Sequence, residues 1–276
     1  MDIISENNLF YLSDKMILRA GDLVLEESLD TFDMYQEIVK NHKAILKKGY
    51  TVIDLLSQVE IDGLREELTQ IISHDLGKYQ PVPEDFSLDM YHKFLLSEET
   101  HYKIATWGIH HNQLIKYYDV VKMAVEKVLN VELDIKEINH RGVLGKYIGY
   151  RIVRPHKDDH NPFHRDSWIS YWRDTVNVWI PICGFSAQIG LQLIEESHSW
   201  PNNEIFKTSS GYVLNDKVYH VPAAIAVKRP FDLIKPILQK GQGILFTPYL
   251  LHGNGINTST NETRVSVEFR FCLKNS

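Results

Sequence analysis

The chain has 276 residues, 43% hydrophobic and 24% charged, with 15 glycines and 10 prolines. That balance excludes a disordered or fibrous chain. A formal net charge of -6, with both signs mixed along the sequence, excludes the basic footprint of a nucleic-acid or anionic-membrane binder.

No run approaches the roughly 20 apolar residues of a membrane span. The opening "MDIISENNLFYLSDK" lacks the basic-then-apolar order of a signal peptide. Cys183 and Cys272 lie in apolar, strand-like runs, give no disulfide framework or zinc spacing, and read as structural hydrophobes. The expected location is the cytoplasm.

The segment "DTFDMYQEIVKNHKAILKKG" spaces Phe32, Tyr35, Ile38, Val39, Ala44, Ile45 and Leu46 for one helical face and stops at Gly49. A short strand, "YTVIDL", follows. Ser57 and Glu60 form a capping box for a second helix, "SQVEIDGLREELTQIIS". Residues 75–111 read as irregular. "NQLIKYYDVVKMAVEKVLN" predicts a third helix packed by Leu114, Tyr118, Val121, Val125 and Leu129.

From about residue 133 the period changes to short alternating or β-branched runs: "ELDIKEINH", "VLGKYIGYRIVRP", "TVNVWIPIC", "GLQLIEE", "KVYHVPAAIAV", "GQGILFTPYLLHG" and "TRVSVEFRFCL". The pattern predicts a sandwich or barrel buttressed by helices. The fold class is mainly β with helices (α+β), in one domain: residues 1–132 mostly helical, residues 133–276 the β core.

Chemistry concentrates in "NPFHRDSW". Alone, His164 and Asp166 would make an ordinary hydrogen-bonded turn, so a third ligand decides. Residues two apart share a face of an extended chain, so both point inward while Arg165 points out. His252 ends an apolar strand and is the third candidate, preferred over His220 because Arg264 and Ser266 follow it. Two histidines and a carboxylate form the facial triad that holds non-haem iron(II) with coordination positions left open. Arg264 and Ser266 share a strand face and suit a carboxylate. Iron plus a dicarboxylic acid is implied.

These residues resemble the iron and 2-oxoglutarate motifs of the iron(II)/2-oxoglutarate-dependent oxygenases, most of all the phytanoyl-CoA dioxygenase-like branch. "VNVWIPICGFSAQIGLQLIEESHSW" and "GYTVIDLLSQVEIDGLREEL" are similar to passages of that branch, and the likeness spans about residues 45 to 273. The branch's usual glycine before Ser197 is here Glu196, a departure expected to touch a turn and not the metal site.

The resemblance implies a double-stranded β-helix (jelly roll, cupin-like). It implies iron(II) on His164, Asp166 and His252, 2-oxoglutarate anchored by Arg264 and Ser266, and O2 as oxidant. It also places His198 at a structural turn. The implied reaction is hydroxylation of a C–H bond with release of succinate and CO2. Asp166 fills the position that related halogenases free for chloride, while desaturation, cyclisation and epimerisation stay open. A catalytically silent jelly-roll binding protein is the reading from another class.

Further 2-oxoglutarate contacts are expected from Lys146, Tyr150, Asn177 and Trp179. Substrate contacts are expected from His156, His160, Trp168, Trp172 and Arg270, the last serving the substrate, the active-site acid or a salt bridge. Residues 75–111, the "RPHKDDHNP" loop and residues 202–217 are expected at the mouth. Their mixture of aromatics and charges suits a small polar or amphipathic metabolite.

Overall fold

The computed structural model describes residues 5–6, 9–12, 18–19, 23–24, 39–40, 42–95, 97–105, 114–140, 143–146, 148–157, 159, 161–186, 189–209, 211–214, 217–219 and 221–274. Of the first predicted helix, the described residues from 39 onward contain α1 (Lys43–Lys48), which starts at an N-cap on His42, so the single helix expected is interrupted there; the stretch before residue 39 lies outside the described residues. Gly49 ends α1 at φ +87, its N–H donating to Ile45 O. A Cβ there would sit 2.6 Å from Leu250 Cδ1 and 2.7 Å from His198 Nδ1, so the stop also admits a neighbouring turn.

Helix α2 (Gln58–Gly77) carries the expected Ser57–Glu60 capping box. The region expected to be irregular contains two helices, α3 (Tyr91–Phe94) and α4 (Glu98–Ala105). Helix α4 buries only His101 and Ile104, too sparse a stripe to announce itself. Helix α5 (Lys116–Leu129) buries Tyr118, Val121, Val125 and Leu129 as expected.

The major sheet contains β1 (Tyr50–Asp54), β2 (Leu133–Ile135), β3 (Gly149–Val153), β4 (Thr175–Cys183), β7 (Gln242–Phe246) and β9 (Arg264–Leu273). Its order is β1-β7-β4-β9-β2, with β3 also on β9, and every pairing is antiparallel. A smaller sheet orders β6 (Leu233–Ile234), β5 (Leu191–Ile194) and β8 (His252–Asn254). Further strands, Ile205–Thr208 and Ala224–Val227, pair with each other.

Three apolar clusters define the layers. The largest joins the helices to Val176, Val178, Ile180, Val265, Val267, Phe269 and Phe271. A second, of Trp179, Leu191, Leu193, Ile244 and Phe246, lies between the two sheets. The third gathers Phe163, Ile194, Trp200, Ile205, Ala224 and Leu251 behind the small sheet. Strand alternation therefore turns Arg264, Ser266, Glu268 and Arg270 of β9 to the inter-sheet side, away from the helices. The expected α+β double-stranded β-helix is the observed architecture.

Candidate metal centre

His164 and His252 face each other across an antiparallel bridge. His164 N–H donates to His252 O at 2.9 Å and His252 N–H to His164 O at 3.1 Å. Directly opposed antiparallel residues project to one side, and the ring centroids stand 4.4 Å apart. Each Nδ1 lies 2.9 Å from a backbone carbonyl, of Pro162 for His164 and of Leu250 for His252. A carbonyl only accepts, so Nδ1 carries the proton and Nε2 keeps its lone pair for a cation. Burial first, then His164, pushes His252 down to about 4, which keeps it neutral at pH 7.

Asp166 opens a short 3-10 turn (Asp166–Trp168). Its Oδ2 accepts from Asn177 Nδ2 at 2.7 Å and Arg270 Nη2 at 3.2 Å. Oδ1 lies 3.5 Å from His164 Nε2 and has no hydrogen-bond partner. One donor atom from each of His164, Asp166 and His252 lies within 4.8 Å of the others. Burial would push the Asp166 carboxyl up, but Arg270 and the two histidines outweigh it and hold it low. Two imidazole nitrogens and one carboxylate oxygen with open positions are the donor set of an iron(II) oxygenase site.

Arg264 is wholly buried. Its Nη1 donates to Ile189 O at 2.9 Å, while Nε, Nη2 and the Ser266 Oγ have no partner among the described residues. The guanidinium carbon stands 5.7 Å from the Trp179 ring centroid. Burial, then the charge of Arg151, pushes Arg264 down to about 9. A buried cation with free N–H groups beside a free hydroxyl fits a ligand carboxylate.

Other expectations need correction. Tyr150 pairs with Val267 and therefore faces the helices, its hydroxyl donating to Ile104 O at 2.9 Å. Lys146 is exposed. The Asn177 amide is committed to Asp166, and Trp179 is the one of the four that lies beside Arg264. The His156 side chain is exposed, at φ 53; His160 lies outside the described residues.

Trp168 packs toward the third cluster, with Nε1 3.4 Å from Asn202 Oδ1. Trp172 stacks on Arg270, with 4.3 Å from guanidinium carbon to ring centroid. Arg165 points away from the triad but is buried, donating to Asn202 Oδ1 and to the Ser197 and Trp200 carbonyls. The 202–217 segment starts with a 3-10 turn (Asn202–Glu204) and continues as the strand Ile205–Thr208, whose Ile205 packs in the third cluster. His198 holds the expected turn, its Nε2 3.0 Å from Leu46 O.

Two inward residues escaped the sequence reading. Arg151 lies across from Ser266, its Nε donating to Glu268 Oε1 at 3.3 Å. Glu268 Oε2 accepts from Arg270 at 3.2 Å. Alternating charges thus run Asp166, Arg270, Glu268, Arg151 along the inner wall. The signal was the period of two in "RVSVEFR", which puts Glu268 on the face of Arg264 and Ser266.

The phytanoyl-CoA dioxygenase (PhyH) family profile matches residues 45–266. The chain belongs to the phytanoyl-CoA dioxygenase family. With the His-Asp-His site, this makes it an oxygenase whose cofactor and co-substrates are iron(II), 2-oxoglutarate and O2. The fold is similar to EctD from S. alaskensis in its apoform: 12% identity, TM-score 0.53, covering 94% of this chain and 88% of that one. It is also similar to EvdO2 from Micromonospora carbonacea var. aurantiaca complexed with 2-oxoglutarate: 12% identity, TM-score 0.50, covering 92% and 96%. No curated protein sequence matches the chain. No described helix is long and apolar enough to cross a membrane.

Proposed function

We propose that the protein is a single-domain cytoplasmic hydroxylase of a small polar or amphipathic metabolite, releasing succinate and CO2 with each turnover. The observation that carries this reading is the free Asp166 Oδ1 among the His164 and His252 rings, on the same inner wall as the open N–H groups of Arg264.

His164 and His252 offer Nε2 and Asp166 offers Oδ1 to the metal. Arg264 and Ser266 take the distal carboxylate of 2-oxoglutarate, with Trp179 flanking the guanidinium. Iron(II) with O2 and 2-oxoglutarate supplies the oxidising power for C–H cleavage. The apolar wall of Leu191, Leu193, Ile244 and Phe246 excludes water, which strengthens each polar contact inside. An intact Asp166 supports hydroxylation over halogenation. Trp172, Arg151 and Glu268 mix aromatic and charged surface on the wall, which supports a polar substrate over a long acyl chain.

Two measurements test the reading. Anaerobic iron(II) plus 2-oxoglutarate should give a weak visible charge-transfer band. In air, a panel of amino acids, amino sugars, phosphonates and natural-product intermediates should contain a compound that stimulates succinate release. Absence of the band from folded protein would sink the proposal.

A further inference from the structure

Arg270 does not behave as a surface strand residue. Its side chain is only 13% exposed, and its described partners are wall residues of the site. Nη2 reaches Asp166 Oδ2 and Glu268 Oε2, both at 3.2 Å, and the guanidinium lies 4.3 Å from the Trp172 ring centroid. Its backbone is registered against Asn177, the second donor to Asp166 Oδ2. Two carboxylates, an aromatic face and a paired strand therefore fix one guanidinium.

The consequence concerns how Asp166 can bind a cation. A carboxylate beside a divalent ion can give one oxygen or two. A ligand set that must leave positions for a chelating keto acid and O2 has room for only one. Asn177 gives Oδ2 a neutral amide donor at 2.7 Å, whereas Arg270 brings a full positive charge to the same oxygen at 3.2 Å, so that both partners of its bond are ionised. We infer that Arg270 is the positioning residue of the metal carboxylate. It commits Oδ2 of Asp166 to the protein, so that only Oδ1 is offered to the ion. The inference rests on the iron(II) reading above and deepens it by assigning the count of open positions to a residue outside the triad.

Anaerobic iron(II) titration, with and without 2-oxoglutarate, tests it on wild type, R270Q, R270K and W172A. Arg270→Gln should weaken iron(II) binding about 10- to 100-fold and shift or weaken the charge-transfer band. Arg270→Lys keeps the charge without the fork and should recover part of the affinity. Trp172→Ala removes the stacking face but no contact to Asp166, and should weaken iron(II) binding about threefold; it serves as the test if the Arg270 variants do not fold by circular dichroism.

Iron(II) affinity within twofold of wild type and an unchanged band in folded R270Q would overturn the inference alone. If R270Q does not fold, the same result in W172A overturns it. Failure of the wild-type protein itself to bind iron(II) overturns the oxygenase reading and this inference together.

Discussion

Arg264 shows how a single residue can serve a ligand at the expense of the fold. Its charge is wholly buried, and two of its nitrogens have no acceptor among the described residues. Replacing a buried ion by a well-packed apolar residue is often stabilising by about 1–4 kcal/mol. Arg264→Met should therefore raise the urea midpoint of the metal-free protein. The same variant should bind 2-oxoglutarate about 10- to 100-fold more weakly in the anaerobic titration. Undiminished 2-oxoglutarate affinity in that variant would count against the anchor.

At this scale the His-Asp-His cluster was legible because spacing encodes chemistry, a histidine and an aspartate two apart, and the same reasoning led to the expectation of an anchor at an arginine and a serine two apart. Tyr150 and Arg151 show the opposite case. Both sit in "GYRIV", and nothing local says which faces the site; the register against Val267 and Ser266 decides. Asn177 was expected to touch the co-substrate. Only its cross-strand partner, Arg270, and the turn that delivers Asp166 reveal its donor role.

Among the elements, the turn carrying His198 is the informative departure. Glu196 precedes it at φ 64, a left-handed conformation in which glycine is unstrained. That accounts physically for the glycine usual in the family. The Glu196 side chain is exposed, and its N–H donates to Lys48 O, a bond that glycine keeps. Glu196→Gly should raise stability by about 1 kcal/mol, read as a higher urea midpoint, with iron(II) affinity unchanged.

Helices α2 and α5 were readable from their apolar stripes and the Ser57 cap. Helix α4 was not, because its place depends on partners far along the chain: Glu98 receives Arg154 Nη2 at 2.6 Å. The long strand β9 was legible as a strand, and Arg264, Ser266 and Arg270 were expected on its inward face; that Glu268 shares that interior was not, since an acid at that position also suits an exposed face.

For the whole molecule, a buried polar knot ties the helical layer to the chain that delivers His164. Asp159 accepts from Arg154 Nε at 2.7 Å and Nη2 at 2.8 Å. His101 Nε2, from α4, lies 3.1 Å from Asp159 Oδ1. Burial would push the Asp159 carboxyl up, but the hydrogen bonds from Arg154 and His101 more than offset it and hold it well below the usual carboxylate range. A carboxyl lowered in the folded state contributes stability that is complete above its unfolded value, about 3.9, and is lost as pH falls below that value. Asp159→Asn should cost about 3 to 5 kcal/mol at pH 7. Urea unfolding at pH 7 and at pH 3 checks this: the gap between wild type and variant should shrink at pH 3, and a gap independent of pH would refute the account.

Composition and period by themselves determined a mainly β chain with packed helices. The identities and spacing of His164, Asp166, His252, Arg264 and Ser266 implied an iron site and an anchor for a dicarboxylic acid, because a donor set is a property of residue type; the family resemblance supplied the keto acid. Only the tertiary structure decided that Arg270 and Asn177 hydrogen-bond Asp166 Oδ2, that Arg151 and Glu268 line the wall, and that Tyr150 and Lys146 do not. Those assignments depend on strand register and on which face is covered, and both are set by contacts between residues about a hundred or more positions apart.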